Sequence, residues 1–203
     1  MKKYLWRTAV LLLCTASAAR IARADEPKKG APSADEKAMM EAWMKYSTPG
    51  DVHKRMAAME GSWTAHVKEW MAPNAPATES DGTAEFKMVL GGRYLHQSFH
   101  GTMMGQPFEG MGLSGYDNAK RSTQSVWVDN AGTGIMTMTG NWDANGKSLT
   151  ESGSMDDPMT GKNVQMKGEM HMADADHSSY TMWMSGPDGK MFKSLEIAYT
   201  RKK

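Results

Sequence analysis

From Trp63 onward the chain alternates apolar and polar residues in short runs, and each run is broken by residues that make tight turns. Ten such runs can be read, near residues 62–71, 80–90, 93–103, 107–116, 122–130, 133–141, 147–154, 163–173, 178–185 and 191–201. The connections carry Gly, Asn, Asp or Pro, as in Met104-Gly105-Gln106-Pro107, Asp117-Asn118, Ala144-Asn145-Gly146-Lys147, Asp157-Pro158-Met159-Thr160-Gly161 and Pro187-Asp188-Gly189. A period of two with hairpin-length connections predicts an antiparallel up-and-down meander. A meander this long with one apolar face removes its free edges by closing, so the predicted fold is mainly β: an antiparallel up-and-down β-barrel of about ten strands. Gly110, Gly112, Gly115, Gly134 and Gly140 fall inside the runs, where strongly bent strands need positions without a Cβ.

Before Trp63 the period changes to that of a helix. Ser33-Ala34-Asp35-Glu36 fits a capping box, and Met39, Met40, Trp43 and Met44 then fall on one stripe that ends near Thr48-Pro49-Gly50. A second short helix, Asp51 to Met59, places Val52, Met56 and Met59 on one side. The two helices are expected to cap one mouth of the barrel. Residues 25–34, DEPKKGAPSA, have no apolar periodicity and are expected to form a disordered leader.

Residues 1–24 read as a secretory signal: Lys2, Lys3 and Arg7, then an apolar stretch from Ala9 to Ala19, then Ala22-Arg23-Ala24 before Asp25. A cut after Ala18 is the alternative. Leu13 precedes Cys14, which disfavours lipid attachment there. The expected organisation is therefore signal 1–24, leader 25–34, helices 35–60 and barrel 61–203, in a protein exported to the periplasm or the extracellular space. Removing the signal takes away five of the 24 Lys and Arg and none of the 23 Asp and Glu, so the charge passes from +1 to 19 minus 23, or −4. That mildly acidic chain without a basic cluster offers no footprint for nucleic acid, and no later apolar run is long enough to span a bilayer as a helix. With Cys14 gone it also lacks any thiol ligand or nucleophile.

Methionine is the anomalous residue, with 21 in the chain. Met136 and Met138, Met170 and Met172, and Met182 and Met184 stand two apart, so each pair shares a strand face. Thioethers on one face suit Cu(I); they suit an adaptable apolar lining equally well. His171 alternates to the face opposite Met170 and Met172. His96 and His100 share a face but lie about 13 Å apart at strand rise, too far to chelate one ion. Glu109, beside Phe108, and Asp129, two residues from Trp127, are the carboxyl groups best placed to enter the interior; Asp129 could instead satisfy the turn at Asp129-Asn130-Ala131-Gly132. No motif of nucleophilic, phosphate, dinucleotide or zinc chemistry occurs, so no catalytic residue and no metal ligand is assigned.

Gly61-Ser62-Trp63 at the first strand and Arg201 in the last resemble the Gly-x-Trp motif and stacked basic residue of calycins. The stretch from His100 to Gly112, with Gly115-Tyr116-Asp117-Asn118, Trp127-Val128-Asp129, Gly132-Thr133-Gly134, Asp156 to Lys162 and Tyr199-Thr200-Arg201-Lys202, resembles a bacterial family catalogued as domain of unknown function 1579. That resemblance covers roughly residues 50–203 and implies a lipocalin-like barrel in exported bacterial proteins, with no activity, cofactor or catalytic residue attached. The expected function is the binding of a small apolar or amphipathic ligand by Trp127, Asp129, His100, Glu109, Met136 and Met138, with Trp63 and Arg201 as structural residues. Copper handling through methionine faces and a calycin-type enzyme are the alternatives, and cofactor and oligomeric state stay open.

Overall fold

A computed structural model describes residues 31–158 and 160–203. The expected signal and residues 25–30 of the expected leader lie outside the described residues. Two helices, α1 (Ala34–Ser47) and α2 (Asp51–Ala57), precede ten strands: β1 (Gly61–Glu69), β2 (Thr78–Val89), β3 (Tyr94–Met103), β4 (Gln106–Asp117), β5 (Ser122–Asp129), β6 (Met136–Trp142), β7 (Ser148–Asp156), β8 (Asn163–Met172), β9 (His177–Ser185) and β10 (Met191–Arg201). Each strand pairs antiparallel with its neighbours in sequence, and β1 pairs with β10 to close the barrel. The predicted runs match these strands one for one. Gly134 differs: it precedes β6 rather than bending a strand.

Closure follows from parity. Trp63, Ala65 and Val67 of β1 are buried while Ser62, Thr64 and His66 are exposed, and the same alternation continues round the sheet. Gly110 and Gly112 of β4 serve a purpose other than bending. The Trp127 indole lies across both, and a Cβ at Gly112 would stand 3.2 Å from the ring. Gly112 is the direct partner of Trp127, so a bare strand lets a large ring lie flat against its neighbour.

The floor is the end at which α2 sits. Met56 and Met59 are almost fully buried beneath Trp63, whose Nε1 donates to the Met59 carbonyl at 2.9 Å. Arg201, directly opposite Trp63, places its guanidinium 4.1 Å from the ring centroid and donates to the carbonyls of Ala58 (2.8 Å), Ala175 (2.8 Å) and Glu60. One side chain thus ties together α2, the start of β1 and the β8–β9 turn. Above it Phe86 meets Trp63 and Tyr199 edge-on, and Gln97 donates to the Tyr199 hydroxyl at 3.2 Å. His53 of α2 is buried too, with its ring edge-on to Tyr116 and its Nδ1 accepting from Gly50 N at 3.0 Å; burial holds its pKa below the ordinary value.

Only α2 caps the barrel. The capping box of α1 forms as the sequence predicts, with Ser33 N donating to Glu36 at 2.7 Å and Glu36 N donating to Ser33 Oγ at 3.2 Å. Its C-terminal end is held where Asn118 donates to the Tyr46 and Thr48 carbonyls and Arg93 to that of Ser47. Its apolar stripe does not pack on the barrel: Met39, Met40, Trp43 and Met44 are all more than half exposed. No helix among the described residues is long and apolar enough to cross a membrane.

Candidate ligand-binding interior

The strand registers stack the inward side chains of β4 to β10 in rows. One row in the half away from α2 carries Gly112, Trp127, Met136, Met155 and Val164. Next come Ser114, Ser125, Met138, Gly153, Met166, Met184 and Phe192, and then Tyr116, Thr123, Gly140, Glu151, Gly168, Met182 and Leu195. Six methionines therefore line one wall: Met136, Met138, Met155, Met166, Met182 and Met184. Met138, Met166 and Met182 form its buried centre, and the other three are half-buried around them. Phe108, Trp127 and Asp129 at the same end are half-buried as well.

Within the wall lies a short polar chain. Ser114 donates to Ser125 at 3.0 Å, and Ser125 donates to Glu151 Oε1 at 2.5 Å. Glu151 is only 6% exposed, and its removal from water pushes its pKa up against the opposing effect of the Ser125 hydrogen bond. The residues paired with it on both neighbouring strands are Gly140 and Gly168. Gly168 makes room for Tyr180, since a Cβ there would stand 2.5 Å from the phenol oxygen. Tyr180 thereby reaches Met138 Sδ at 3.7 Å, and burial together with the nearby Glu151 raises its own pKa. Glu69, on the inward parity of β1, is a further half-buried carboxyl with its pKa raised by burial.

Four of the six residues expected to bind a ligand stand together on this inner wall. Trp127 pairs directly with Met136, Met138 is one row deeper, and Trp127 Nε1 donates to Asp129 Oδ2 at 2.9 Å. The other oxygen of Asp129 accepts from Ala131 N at 3.0 Å, so one carboxyl group both holds the turn and orients the indole. His100 and Glu109 are elsewhere. Phe99 and Phe108 take the inward positions, and alternation sends His100 and Glu109 to the outer face, where they pair at 3.8 Å with both side chains well exposed. His171 is also outside, 2.9 Å from the Ser148 hydroxyl. Among the described residues no three His, Cys, Asp or Glu side chains gather as a metal site.

Glu151, Ser125, Tyr180 and Glu69 did not emerge from the sequence. The available signal was parity: Leu149, Glu151, Gly153 and Met155 share a face, so a glutamate two residues from a core leucine was bound to point inward. A separate groove of about 450 Å3 lies outside the barrel, between the end of α1 and the outer face of β3 to β5, lined by Trp43, Tyr46, Arg93, Tyr94, Leu113 and Val126 among others.

No curated protein matches the chain in sequence. Among solved structures, that of Rv2717c from M. tuberculosis is 17% identical with a TM-score of 0.58, covering 77% of this chain and 100% of that one. The S-type phycobiliprotein lyase CPES from Guillardia theta is 10% identical with a TM-score of 0.56, covering 79% of this chain and 97% of that one. At such identities the likeness is one of fold. The family model described as protein of unknown function DUF1579 matches residues 48–201, and the chain belongs to that family.

Proposed function

We propose that this is an exported β-barrel protein that binds a small apolar or amphipathic molecule in the half of the barrel away from α2. The observation that carries this reading is the lining of that half. Phe108, Trp127, Met136, Met155 and Met184 point inward yet remain in partial contact with solvent, and the core beneath them is closed by Trp63. Unbranched thioether side chains re-pack at low cost, so such a wall accepts an apolar guest without backbone movement. That the fold is shared with a phycobiliprotein lyase supports a barrel put to use on a small molecule.

Native mass spectrometry of the protein purified from its own source is the direct test, with one organic molecule retained per chain as the expected result. In vitro, the neutral dye Nile red should brighten on the protein, and Met182→Trp, which fills the interior, should abolish the signal. Brightening that survives Met182→Trp and disappears in Trp43→Gln would place the dye on α1 and reject the reading. The six thioethers on adjacent strands favour one second reading, Cu(I) binding, which is rejected if an anaerobic Cu(I) titration shows no stoichiometric uptake.

A further inference from the structure

The charge of the barrel interior is one-sided. Strand parity places Glu69, Asp129 and Glu151 on the inner face. The inward positions of the ten strands carry no Lys or Arg apart from Arg201, which is engaged at the floor. Glu151 is the most buried of the three carboxyl groups, and the Ser125 hydroxyl donates to it. A second polar group stands close by: Thr123 occupies the same row, separated from Glu151 by Gly140, is 0% exposed, and its hydroxyl has no hydrogen-bond partner among the described residues. Thioether sulfur and a phenol ring, both electron-rich, complete the surroundings.

An apolar wall around a buried carboxyl and an unpartnered hydroxyl selects by charge. A fatty carboxylate would bring like charge next to Glu151 in a medium of low polarity, where repulsion is strong. An ammonium group would supply the positive charge and the N–H donors that Glu151 and Thr123 lack, and its alkyl body would lie along the methionines. Resting on the reading that the barrel interior binds a small amphipathic molecule, we infer that its ligand class is the amphipathic amine, with the ammonium group seated at Glu151 and Thr123 and the apolar body against Met138, Met166 and Met182.

The test uses the full mature chain at neutral pH and three probes of one chain length, n-decylamine, n-decanol and n-decanoate, each displacing Nile red and each followed by intrinsic tryptophan fluorescence. Decylammonium should bind at least about ten-fold more tightly than either of the others, a difference of about 1.4 kcal/mol. Glu151→Gln, which keeps the shape and an acceptor for Ser125, should remove most of that advantage, bringing the ratio of decylamine to decanol affinity toward one. Decanol or decanoate binding as tightly as decylamine, or an advantage that survives Glu151→Gln in a folded variant, overturns the inference while leaving the barrel as a binding module. If none of the three displaces the dye and the dye itself does not enter, the underlying reading falls instead. Should Glu151→Gln fail to fold, the ranking of the three probes on the unaltered protein decides the matter alone.

Discussion

The two halves of this barrel solve the same packing problem with different side chains. At the floor, Trp63, Phe86 and Tyr199 interlock edge-on, Met56 and Met59 seal them from below, and Arg201 fastens the seam between first and last strands. In the other half the wall is built from unbranched thioethers set around Gly140, Gly153 and Gly168. Rigid rings with fixed partners make a core with one arrangement. Flexible chains beside bare glycines make a surface that can change its shape. On the proposed reading the difference separates stability from recognition along the barrel axis, and substitutions in the two halves should behave differently.

The largest effect is expected at the floor. Trp63→Ala removes a fully buried indole, its bond to the Met59 carbonyl and the surface on which Arg201 rests, and should cost about 3–5 kcal/mol in urea denaturation. A loss well under 2 kcal/mol would mean that the floor is as adaptable as the wall. Arg201→Lys keeps the charge but loses the planar fork that reaches three carbonyls, and should cost about 2 kcal/mol on the same measurement. A neutral outcome there would show that charge over the ring, rather than the carbonyl contacts, holds the seam.

The wall should tolerate more. Met166→Leu and Met184→Leu conserve volume and should each cost less than about 1.5 kcal/mol by thermal melting, with Met184 the milder because it is only half-buried. Their effect should instead appear in binding, as a narrower range of chain lengths accepted in Nile red displacement, since a branched side chain adapts less readily than a thioether. If the two leucine variants lose several kcal/mol, the wall is packed as tightly as the floor and the contrast between the halves fails.

How much of this contrast could be read beforehand depends on which residues carried it. The ten strands were legible because each run alternates and each break holds a turn residue, and Trp63 with Arg201 was legible because the two stand at opposite ends of one meander. That Trp127 and Asp129 share a face followed from the same alternation, whereas the seat of Trp127 beside Met136 is a matter of strand register. His100 and Glu109 were expected inside because they lie in strands of the family-like stretch, Glu109 beside Phe108, yet Phe99 and Phe108 hold the inward parity and send both to the outer face. The purpose of Gly110 and Gly112 depended on a ring folding over from the next strand, and the register that sets Trp127 opposite Gly112 cannot be had from local pattern alone. The stripe on α1 was correctly periodic, yet periodicity does not say that the barrel receives it.

The smallest effect concerns Glu151 and shows only as a dependence on pH. Burial raises its pKa above the ordinary 4.5, so the folded protein holds that proton more firmly than the unfolded chain does. The stabilisation is then complete below the unfolded value and is lost as pH rises through the folded one, because ionising the group in place is disfavoured. In Glu151→Gln nothing ionises at this position, so the melting temperature of the variant should gain on that of the parent as pH rises from about 4 to about 8, levelling off above the folded pKa. Glu69 acts in the same direction, with its pKa also raised, and His53 in the opposite one, with its stabilisation lost as pH falls below 6.5; both are present in parent and variant and drop out of the difference to first order. A difference that stays flat across the range would mean that water reaches Glu151 freely, and the wall would then lack the low polarity on which selection of a cation depends. A decylammonium ligand reverses the sign: it stabilises the ionised carboxyl, so at saturation the parent should regain its melting temperature at neutral pH while Glu151→Gln gains less.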